Sequence, residues 1–207
     1  MTSPVTARDR AKAERSDAIL HAAARLFAAR GYSGVSLEDI GAAVGVSGPA
    51  VYRHFAGKQA LLGAVLVKVS QDLIRGGRQV SEESPTPDQR MRALIGFHVE
   101  FALGNAEVIQ VQDRDVAFLS EADRAEVRRL QRAYIELWMA ALSPLHAASG
   151  TGTGTGTDQD ELRLRVQACF GLINSTPHST RAAARRHSAT ATVLIAMADA
   201  ALRATTT

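Results

Sequence analysis

Apolar residues recur at helical spacing along almost the whole chain, and this pattern limits the possible folds more than any other feature. In the first such segment Ile19, Ala23, Leu26 and Phe27 occupy positions i, i+4, i+7 and i+8, which lie on one face of a helix. No segment combines apolar and polar alternation with β-branched residues and turn signals, as a strand would. The fold class is therefore predicted to be all-α, with about nine helices.

Glycine, proline and capping residues divide this pattern into segments. Ser36 and Ser47 can each cap a short helix, with Asp39 and Pro49 in the respective first turns, and Gly45 separates the two helices. The predicted helices span residues 14–29, 36–45, 47–55, 58–76, 88–103, 106–118, 121–142, 160–176 and 181–203.

Three segments between these helices are predicted to interrupt the helical pattern. Residues 81–87, with two prolines among small polar residues, read as a linker. Pro144 is expected to end the helix before it, because proline cannot donate to the hydrogen-bond ladder. The Gly/Thr repeat of residues 149–157 has no apolar content and is expected to be a flexible loop.

Composition excludes several classes of protein. The 207 residues are 46% hydrophobic and 22% charged, which suffices for a core. The longest apolar runs, such as residues 193–198, are far shorter than the ~20 residues that cross a bilayer, and no secretory signal begins the chain, so no membrane partner and a cytoplasmic location are expected. The single cysteine, Cys169, excludes an internal disulfide and a multi-cysteine zinc site. Its apolar neighbours predict a buried residue rather than a redox switch.

The excess positive charge is confined to the start of the chain. Residues 1–60 contain 8 Lys and Arg against 5 Asp and Glu, whereas the other 147 residues contain 16 of each. Such asymmetry, with a net charge of +3, indicates a polyanionic partner for the basic part.

The segment 36–55 has the organisation of a helix-turn-helix. Its second helix is short enough to enter a DNA major groove, and Ser47 opens it with a hydroxyl and backbone N–H groups that attract phosphate. Tyr52, Arg53 and His54 lie on the face opposite the apolar residues, and Lys58 follows at the start of the next helix.

Two blocks of sequence resemble the signature of the TetR (tetracycline repressor) family. They are A-A-A-R-L-F-A-A-R-G-Y at residues 22–32 and V-S-G-P-A-V-Y-R-H-F, leading into G-K-Q-A-L-L, at residues 46–62. The resemblance implies a homodimeric transcriptional repressor that binds a pseudo-palindromic operator through major grooves ~34 Å apart and is released by a small-molecule effector. It implies a flexible basic tail at 1–13, a DNA-binding domain at 14–60 and an effector-binding and dimerisation domain at 61–207.

The resemblance also assigns functional residues by position. The implied DNA-contacting set is Ser36, Leu37, Ser47, Gly48, Pro49, Tyr52, Arg53, His54 and Lys58. Tyr52 and Lys58 are expected to anchor phosphates. Many relatives carry Lys, Arg or a hydroxyl residue at the positions of Gly48 and Pro49, so Arg53 is left as the expected base reader. Upstream, Arg8, Arg10, Lys12 and Arg15 are either a DNA-binding arm or a solvated tail.

Apolar residues with a few polar groups in the remaining helices suggest a ligand cavity, a pattern that an ordinary helical core also shares. The candidates are Phe97, His98, Phe101, Tyr134, Leu137, Trp138, Leu142, Leu172, Asn174 and His178. They indicate an apolar or amphipathic effector. The helix starting near Lys58 is expected to be the sole long connection between the two halves and hence a lever, freed by the linker at 81–87.

The alternative hypothesis is an all-α small-molecule-binding protein or enzyme in which the helix-turn-helix only packs. His98 with Glu100, or residues 113–115, could form an acid–base or metal cluster, but the chain has no H-E-x-x-H, Gly-rich phosphate loop or G-x-S-x-G. No catalytic residue, metal or cofactor is therefore expected, and residues 113–115 are predicted to be an exposed ion-paired turn.

The last two helices are apolar on more than one side, which predicts a dimer. On the first of them one stripe contains Leu162, Val166, Cys169 and Ile173, and another contains Leu164, Ala168 and Leu172. On the second, a broad apolar face contains Val193, Leu194, Met197, Ala201 and Leu202. Because a helix that is apolar on two sides must be buried on two sides, the resemblance suggests a two-fold interface between these helices of two chains.

Overall fold

The computed structural model describes residues 6–148, 156–179 and 187–204. In these ranges the chain forms nine α-helices and no strand, which confirms the all-α prediction. The helices are α1 Ala7–Arg30, α2 Leu37–Ala43, α3 Gly48–Tyr52, α4 Lys58–Glu82, α5 Pro87–Gly104, α6 Ala106–Asp115, α7 Glu121–Ala148, α8 Gly156–Ser179 and α9 His187–Arg203, with a 3₁₀ turn at Val116–Phe118. None of them is both long and apolar enough to span a membrane, as judged over the residues described.

The chain divides into two compact units, and each unit is made of two separate segments of the sequence. Unit 1 comprises Met1–Val69 and Glu107–Val127, and unit 2 comprises Ser70–Ala106 and Arg128–Thr207. This division differs from the boundary expected after residue 60. The chain passes between the units three times, so α4 is not the sole covalent connection, contrary to the expectation.

Unit 1 has a core to which both of its segments contribute. Residues from α1 to α4, including Ile19, Phe27 and Ile40, pack with Val111 and Leu119 of the second segment. This second segment could not be assigned to the unit from local spacing, because its contacts join residues about 80 positions apart.

Arg114 fastens the second segment to the end of α1. Its guanidinium donates hydrogen bonds to the carbonyl oxygens of Phe27 and Ala28, the latter at 3.2 Å. A cation at a helix C-terminus also interacts favourably with the helix dipole. Asp115 accepts from the same guanidinium at 2.9 and 3.0 Å, so the predicted ion pair is present, but Asp115 is buried and the prediction that it is exposed was wrong.

Helix α1 begins at Ala7, seven residues earlier than the apolar pattern predicted. The Thr6 hydroxyl accepts a hydrogen bond from the Asp9 N–H at 3.2 Å, and the Asp9 carboxylate accepts from the Thr6 N–H at 3.2 Å. The Thr6 hydroxyl also donates to the Asp9 carboxylate at 2.7 Å, and this bond, together with that from the Thr6 N–H, lowers the pKa of the exposed Asp9 carboxyl. Such a capping box needs no apolar stripe behind it. The basic residues 8, 10, 12 and 15 therefore lie on a helix.

The predicted linker at 81–87 is shorter than expected and consists of residues 83–86, because α4 runs on to Glu82 and α5 begins at Pro87. Arg90 of α5 donates to the carbonyl oxygens of Ser81 and Ser84, both at 3.3 Å. The end of α4 is therefore bonded to α5 and is not a free hinge.

Two predicted helix ends, at Pro144 and at residue 176, are passed by the helices themselves. Pro144 lies inside α7, which continues to Ala148, and α8 continues past residue 177 to Ser179. A proline near the C-terminal end costs one backbone donor but leaves the following N–H groups able to bond. The Gly/Thr repeat at 149–157 lies outside the described residues except at the start of α8.

Unit 2 is built on α5, which packs against α8 and α9, while α8 and α9 pack against each other. The two apolar stripes of α8 separate as predicted. Leu162, Val166, Cys169 and Ile173 are buried, whereas Leu164 is 65% exposed. Burial raises the pKa of the Cys169 thiol to about 12, which keeps it protonated at neutral pH.

Candidate DNA-binding interface and effector site

Two glycines shape the turn between α2 and α3. A Cβ on Gly41 would lie 2.8 Å from the Val46 carbonyl oxygen, so only glycine lets the turn fold back this closely onto α2. Gly45 has a φ of +69°, a conformation that other residues rarely adopt. The Ser36 hydroxyl caps α2 by accepting from the Asp39 N–H at 3.0 Å, as predicted. These local features produce the helix-turn-helix.

Helix α3 is shorter than predicted and ends at Tyr52 rather than at Phe55. The N–H groups of His54 and Phe55 both donate to the Val51 carbonyl, at 2.9 and 3.0 Å, which closes the helix. Ser47 is the N-cap residue of α3 and is exposed, but its side chain makes no capping hydrogen bond. Val51 points inward and is fully buried.

The predicted DNA-contacting residues differ in how much of each residue is exposed to solvent. Ser47, Pro49, Tyr52 and Arg53 are exposed, with Tyr52 at 55%, and His54 is half-buried. Leu37 is only 4% exposed and belongs to the core, so its side chain is not presented to a partner. Ser36 is exposed, but its hydroxyl bonds to Asp39.

Gly48 is buried against a carboxylate. A Cβ at this position would lie 3.0 Å from Glu38 Oε1 and 3.2 Å from Glu38 Cγ. A longer residue here would have to displace the Glu38 side chain. Position 48 at the start of α3 therefore presents no side chain to a partner. The exposed side chains at the other end of this helix are those of Tyr52 and, directly after it, Arg53.

Lys58 serves the fold, which differs from its expected role as a phosphate anchor. Its ammonium donates to the carbonyl oxygens of Tyr32 at 2.9 Å and Val35 at 2.8 Å, and it lies 4.5 Å from the centre of the Tyr32 ring. These bonds hold the loop between α1 and α2 against the start of α4. The sequence pattern did not reveal this, because the partners are backbone atoms more than 20 residues away.

We expect Lys58→Met to destabilise the protein by about 2 kcal/mol, because two carbonyls lose a charged donor while the aliphatic stem is kept. Urea unfolding measures the loss. Lys12→Met, at an exposed position of α1, should leave the stability within about 0.5 kcal/mol of wild type. If Lys58→Met leaves the stability unchanged and makes DNA binding less dependent on salt, Lys58 contacts a DNA phosphate and its structural role is contradicted.

Unit 2 contains a cluster of aromatic side chains, of which His98, Tyr134 and Trp138 are buried and Phe101 and Phe170 are half-buried. Phe170 lies at its centre, with ring-centre distances of 4.6 Å to His98, 4.9 Å to Trp138 and 5.5 Å to Tyr134. The ring of Phe101 stacks on His98 at 6.2 Å. Four of the predicted ligand-site residues are thus brought together. Phe170 was missed, although its position beside the buried Cys169 on α8 was the available signal.

Two glycines of α4 lie against predicted ligand-site residues. Gly76 and Gly77 are inside this helix, although it was predicted to end near residue 76. A Cβ on Gly76 would clash with the Phe97 ring, and one on Gly77 would lie 2.8 Å from Tyr134 and 3.0 Å from Leu137. These glycines let α4 approach the aromatic residues.

The other predicted ligand-site residues differ in burial. Leu142 is fully buried, Leu172 and Asn174 are half-buried, and the His178 side chain lies outside the described residues.

His98 is buried in this cluster and neutral at pH 7. Burial lowers its pKa to about 4, and the Asn174 side chain only partly offsets this effect. The His98 Nδ1 atom lies 3.3 Å from the Tyr134 hydroxyl. Burial also raises the pKa of Tyr134, so this phenol stays protonated.

We expect the stability of the protein to fall as the pH is lowered from 6.5 towards 4. Unfolded chains bind a proton at His98 in this range, whereas the folded protein does not, so acid favours unfolding by about 3 kcal/mol. In His98→Phe this part of the pH dependence should vanish. Urea unfolding of both proteins at pH 7, 5.5 and 4 measures the difference. Parallel pH profiles would contradict the burial of a neutral histidine.

No group of three or more His, Cys, Asp or Glu residues that could hold a metal ion occurs within the described part of the chain.

Family models match most of both units. The model described as "Bacterial regulatory proteins, tetR family" matches residues 19–65, and that described as "Tetracyclin repressor-like, C-terminal domain" matches residues 84–178. Among curated proteins, the transcriptional activator FasR of Mycolicibacterium smegmatis is 35% identical over 88 residues, which are 42% of this chain and 40% of FasR. The repressor KstR2 of Rhodococcus jostii is 26% identical over 143 residues, 69% of this chain and 70% of KstR2.

Solved structures share the fold along almost the whole chain. The TetR family regulator PfmR from Thermus thermophilus gives a TM-score of 0.74 at 23% identity, covering 91% of this chain and 99% of PfmR. AibR, solved in complex with isovaleryl coenzyme A and operator DNA, gives 0.70 at 22% identity, covering 88% and 97%. On these matches and the helix-turn-helix, the chain belongs to the TetR family of transcriptional regulators.

Proposed function

We propose that this protein is a homodimeric repressor that binds a pseudo-palindromic operator through α3 and is released by a small apolar or amphipathic effector bound in unit 2. The observation that carries the DNA side of the proposal is the exposure of Tyr52 at the end of α3 and of Arg53 directly after it, while the other face of α3 is buried. Ser47 and Pro49 extend this exposed surface. DNA binding places the site of action in the cytoplasm.

In this proposal Arg53 reads a base edge and Tyr52 contacts a phosphate. Arg is suited to the bidentate recognition of guanine, and Tyr can donate to a phosphate oxygen while its ring packs on the sugar. His54 is half-buried and plays a supporting role. The basic residues at the start of α1 remain either an arm along the DNA or a solvated surface.

The effector side rests on the aromatic cluster of unit 2. Apolar walls with a few polar groups are typical of small-molecule sites. Two structural neighbours of the same fold were solved with acyl-thioesters, AibR with isovaleryl coenzyme A and FadR of Bacillus subtilis with stearoyl-CoA. These complexes make acyl-thioesters the first compounds to test, together with other lipids and drugs.

The sense of regulation is proposed from the longer of the two curated matches. KstR2, described as a repressor, matches over 69% of this chain, whereas the activator FasR matches over 42%. Repression requires only that the bound dimer block access to the promoter. An activator would instead raise transcription when it binds the same DNA, which a reporter assay distinguishes.

We expect that a true effector releases the upstream DNA of the protein's own gene and changes Trp138 emission at the same concentrations. Trp138 is the sole tryptophan and is fully buried in the cluster, so its emission reports on that site. A gel shift and a fluorescence titration with acyl-thioesters, lipids and drugs measure the two effects. Thermodynamic linkage requires that operator DNA weaken effector binding by the same factor.

Two outcomes would contradict parts of the proposal. A compound that releases DNA without changing Trp138 emission would move the effector site away from α7. A protein that binds no DNA from the neighbourhood of its gene would favour the alternative of a helical ligand-binding protein in which the helix-turn-helix only packs.

A variant of the aromatic cluster provides supporting evidence. If Phe170→Leu requires a higher effector concentration than wild type to release DNA, the aromatic cluster is supported as the effector site.

A further inference from the structure

The side chain of Glu38, from α2, lies over the first residue of α3. A Cβ built on Gly48 would lie 3.0 Å from Glu38 Oε1 and 3.3 Å from Glu38 Cδ. Gly48 is buried, whereas Glu38 is exposed. The Glu38 side chain therefore occupies the space that a side chain at position 48 would fill, and it places a carboxylate at the start of α3.

This place belongs to the part of a helix-turn-helix that reads sequence. The N-terminal residues of a recognition helix contact base edges in the major groove. Ser47 and Pro49, which flank Gly48 in the chain, are both exposed. The DNA contact expected of position 48 consequently passes to Glu38, a residue of α2 that the sequence pattern did not single out.

A carboxylate at a DNA-binding surface is repelled by the phosphates of every sequence. No ion pair or side-chain hydrogen bond of Glu38 that would offset this charge occurs among the residues that the structure describes. The repulsion is compensated only where a base donates a hydrogen bond to the carboxylate. Glu38 is thus a candidate for discrimination between bases rather than for general affinity.

The chemistry of the major groove identifies the base. Guanine presents only acceptors there, and thymine presents an acceptor and a methyl group. Adenine presents an amino group, but its N7 acceptor lies beside it and repels a carboxylate. Cytosine presents the N4 amino group without a neighbouring acceptor, and it is the base with which Glu and Asp side chains pair.

We propose that Glu38 is a specificity-determining residue that accepts a hydrogen bond from N4 of a cytosine in each half-site. Gly48 permits this contact, because it leaves room for the Glu38 side chain. The inference rests on the proposed function, since it requires that α3 enter the major groove, and it adds a second base reader to Arg53.

The main test is Glu38→Gln, which keeps the shape of the side chain and replaces the carboxylate by an amide. An amide pairs with adenine through N6 and N7. Wild type and variant each select sequences from a library of randomised DNA duplexes. We expect wild type to favour cytosine about tenfold at one position of each half-site, and Glu38→Gln to favour adenine at the same position.

Loss of the charge has a second expected effect, on DNA that contains no operator. Glu38→Gln should bind a duplex of scrambled sequence about threefold more tightly than wild type, because one repulsion from the phosphates is removed. Fluorescence anisotropy at moderate salt measures the change. Glu136→Gln removes the same charge from an exposed position of unit 2 and should leave this affinity unchanged.

Two further variants separate the position of the carboxylate from its charge. Glu38→Asp shortens the side chain, and Gly48→Ala adds a Cβ that the Glu38 side chain has to move to avoid. In both, the preference for cytosine should fall to about twofold without a gain in affinity for scrambled DNA. Urea unfolding checks each variant, because Glu38 also lies in the first turn of α2, where an acidic residue stabilises the helix.

The outcomes distinguish this inference from the proposed function. If wild type selects an operator and Glu38→Gln selects the same bases, Glu38 reads no base and the inference is overturned. An equal loss of affinity for all sequences, together with lower stability, would assign Glu38 to the folding of α2 alone. Failure of wild type to select any sequence would contradict the DNA binding of the proposed function itself.

Discussion

Arg53→Ala is expected to weaken operator binding about five- to 150-fold, equivalent to about 1–3 kcal/mol, and to relax base preference at one position of each half-site. Arg53 is exposed directly after α3. Gly48 is buried against Glu38 and adds no donor, so few other side chains of this helix can read a base. Fluorescence anisotropy with operator DNA and with single-base variants measures both effects.

Three controls make this result specific. Arg53→Lys keeps the charge and loses the planar fork, so it should retain nonspecific affinity and lose base preference. Arg92→Ala removes the same charge from an exposed position in unit 2 and should leave operator affinity unchanged. Urea unfolding of Arg53→Ala should match wild type, because an exposed side chain contributes little to stability. Unchanged operator affinity in Arg53→Ala at moderate salt would contradict the proposed docking.

The features predicted correctly from the sequence are those encoded within a few residues. The capping of α2 by Ser36 and Asp39 and the break between the two helices at Gly45 each follow from short-range chemistry, and together they define the helix-turn-helix. The apolar stripes of α8 likewise separated as their spacing predicted. Helical periodicity is a local property, which is why it sufficed for the fold class.

The features that were missed depend on contacts between residues distant in sequence. Lys58 bonds to carbonyls at positions 32 and 35, Arg114 caps α1 from more than 80 residues away, and Phe170 enters the aromatic cluster from α8. Arg90 bonds the end of α4 across the presumed linker. The residue type identifies each of these side chains only as basic or apolar. The residues that they contact can be identified only from the three-dimensional structure.

The largest expected effect concerns the apolar face that α8 and α9 leave uncovered in a single chain. Leu164 is 65% exposed, Val193 57% and Met197 48%, while Leu194 and Leu202 on the other side of α9 are buried. Val193 and Met197 are four residues apart and so adjoin on one helical face. Exposed apolar residues that cluster in this way indicate a protein–protein interface, and a second copy of this chain offers the same face.

A double substitution of Val193 and Met197 by Glu is therefore expected to convert the dimer to a monomer at micromolar concentration, because each carboxylate would be buried unpaired at a two-fold interface. The folded protomer should be unaffected, since both positions are solvent-exposed within one chain. Operator affinity should fall about 10²- to 10⁴-fold, as the two half-sites are no longer bound by linked domains. Sedimentation velocity and a gel shift measure these effects.

Conservative changes at the same positions provide the matched control. Val193→Ile with Met197→Leu keeps the face apolar and should remain a dimer with wild-type operator affinity. Circular dichroism of the glutamate variant should retain the helical signal, which separates lost association from lost folding. A glutamate variant that still sediments as a dimer would move the interface away from this face of α9. A monomeric variant with full operator affinity would instead mean that one protomer binds DNA alone, against the two-fold operator of the proposed function.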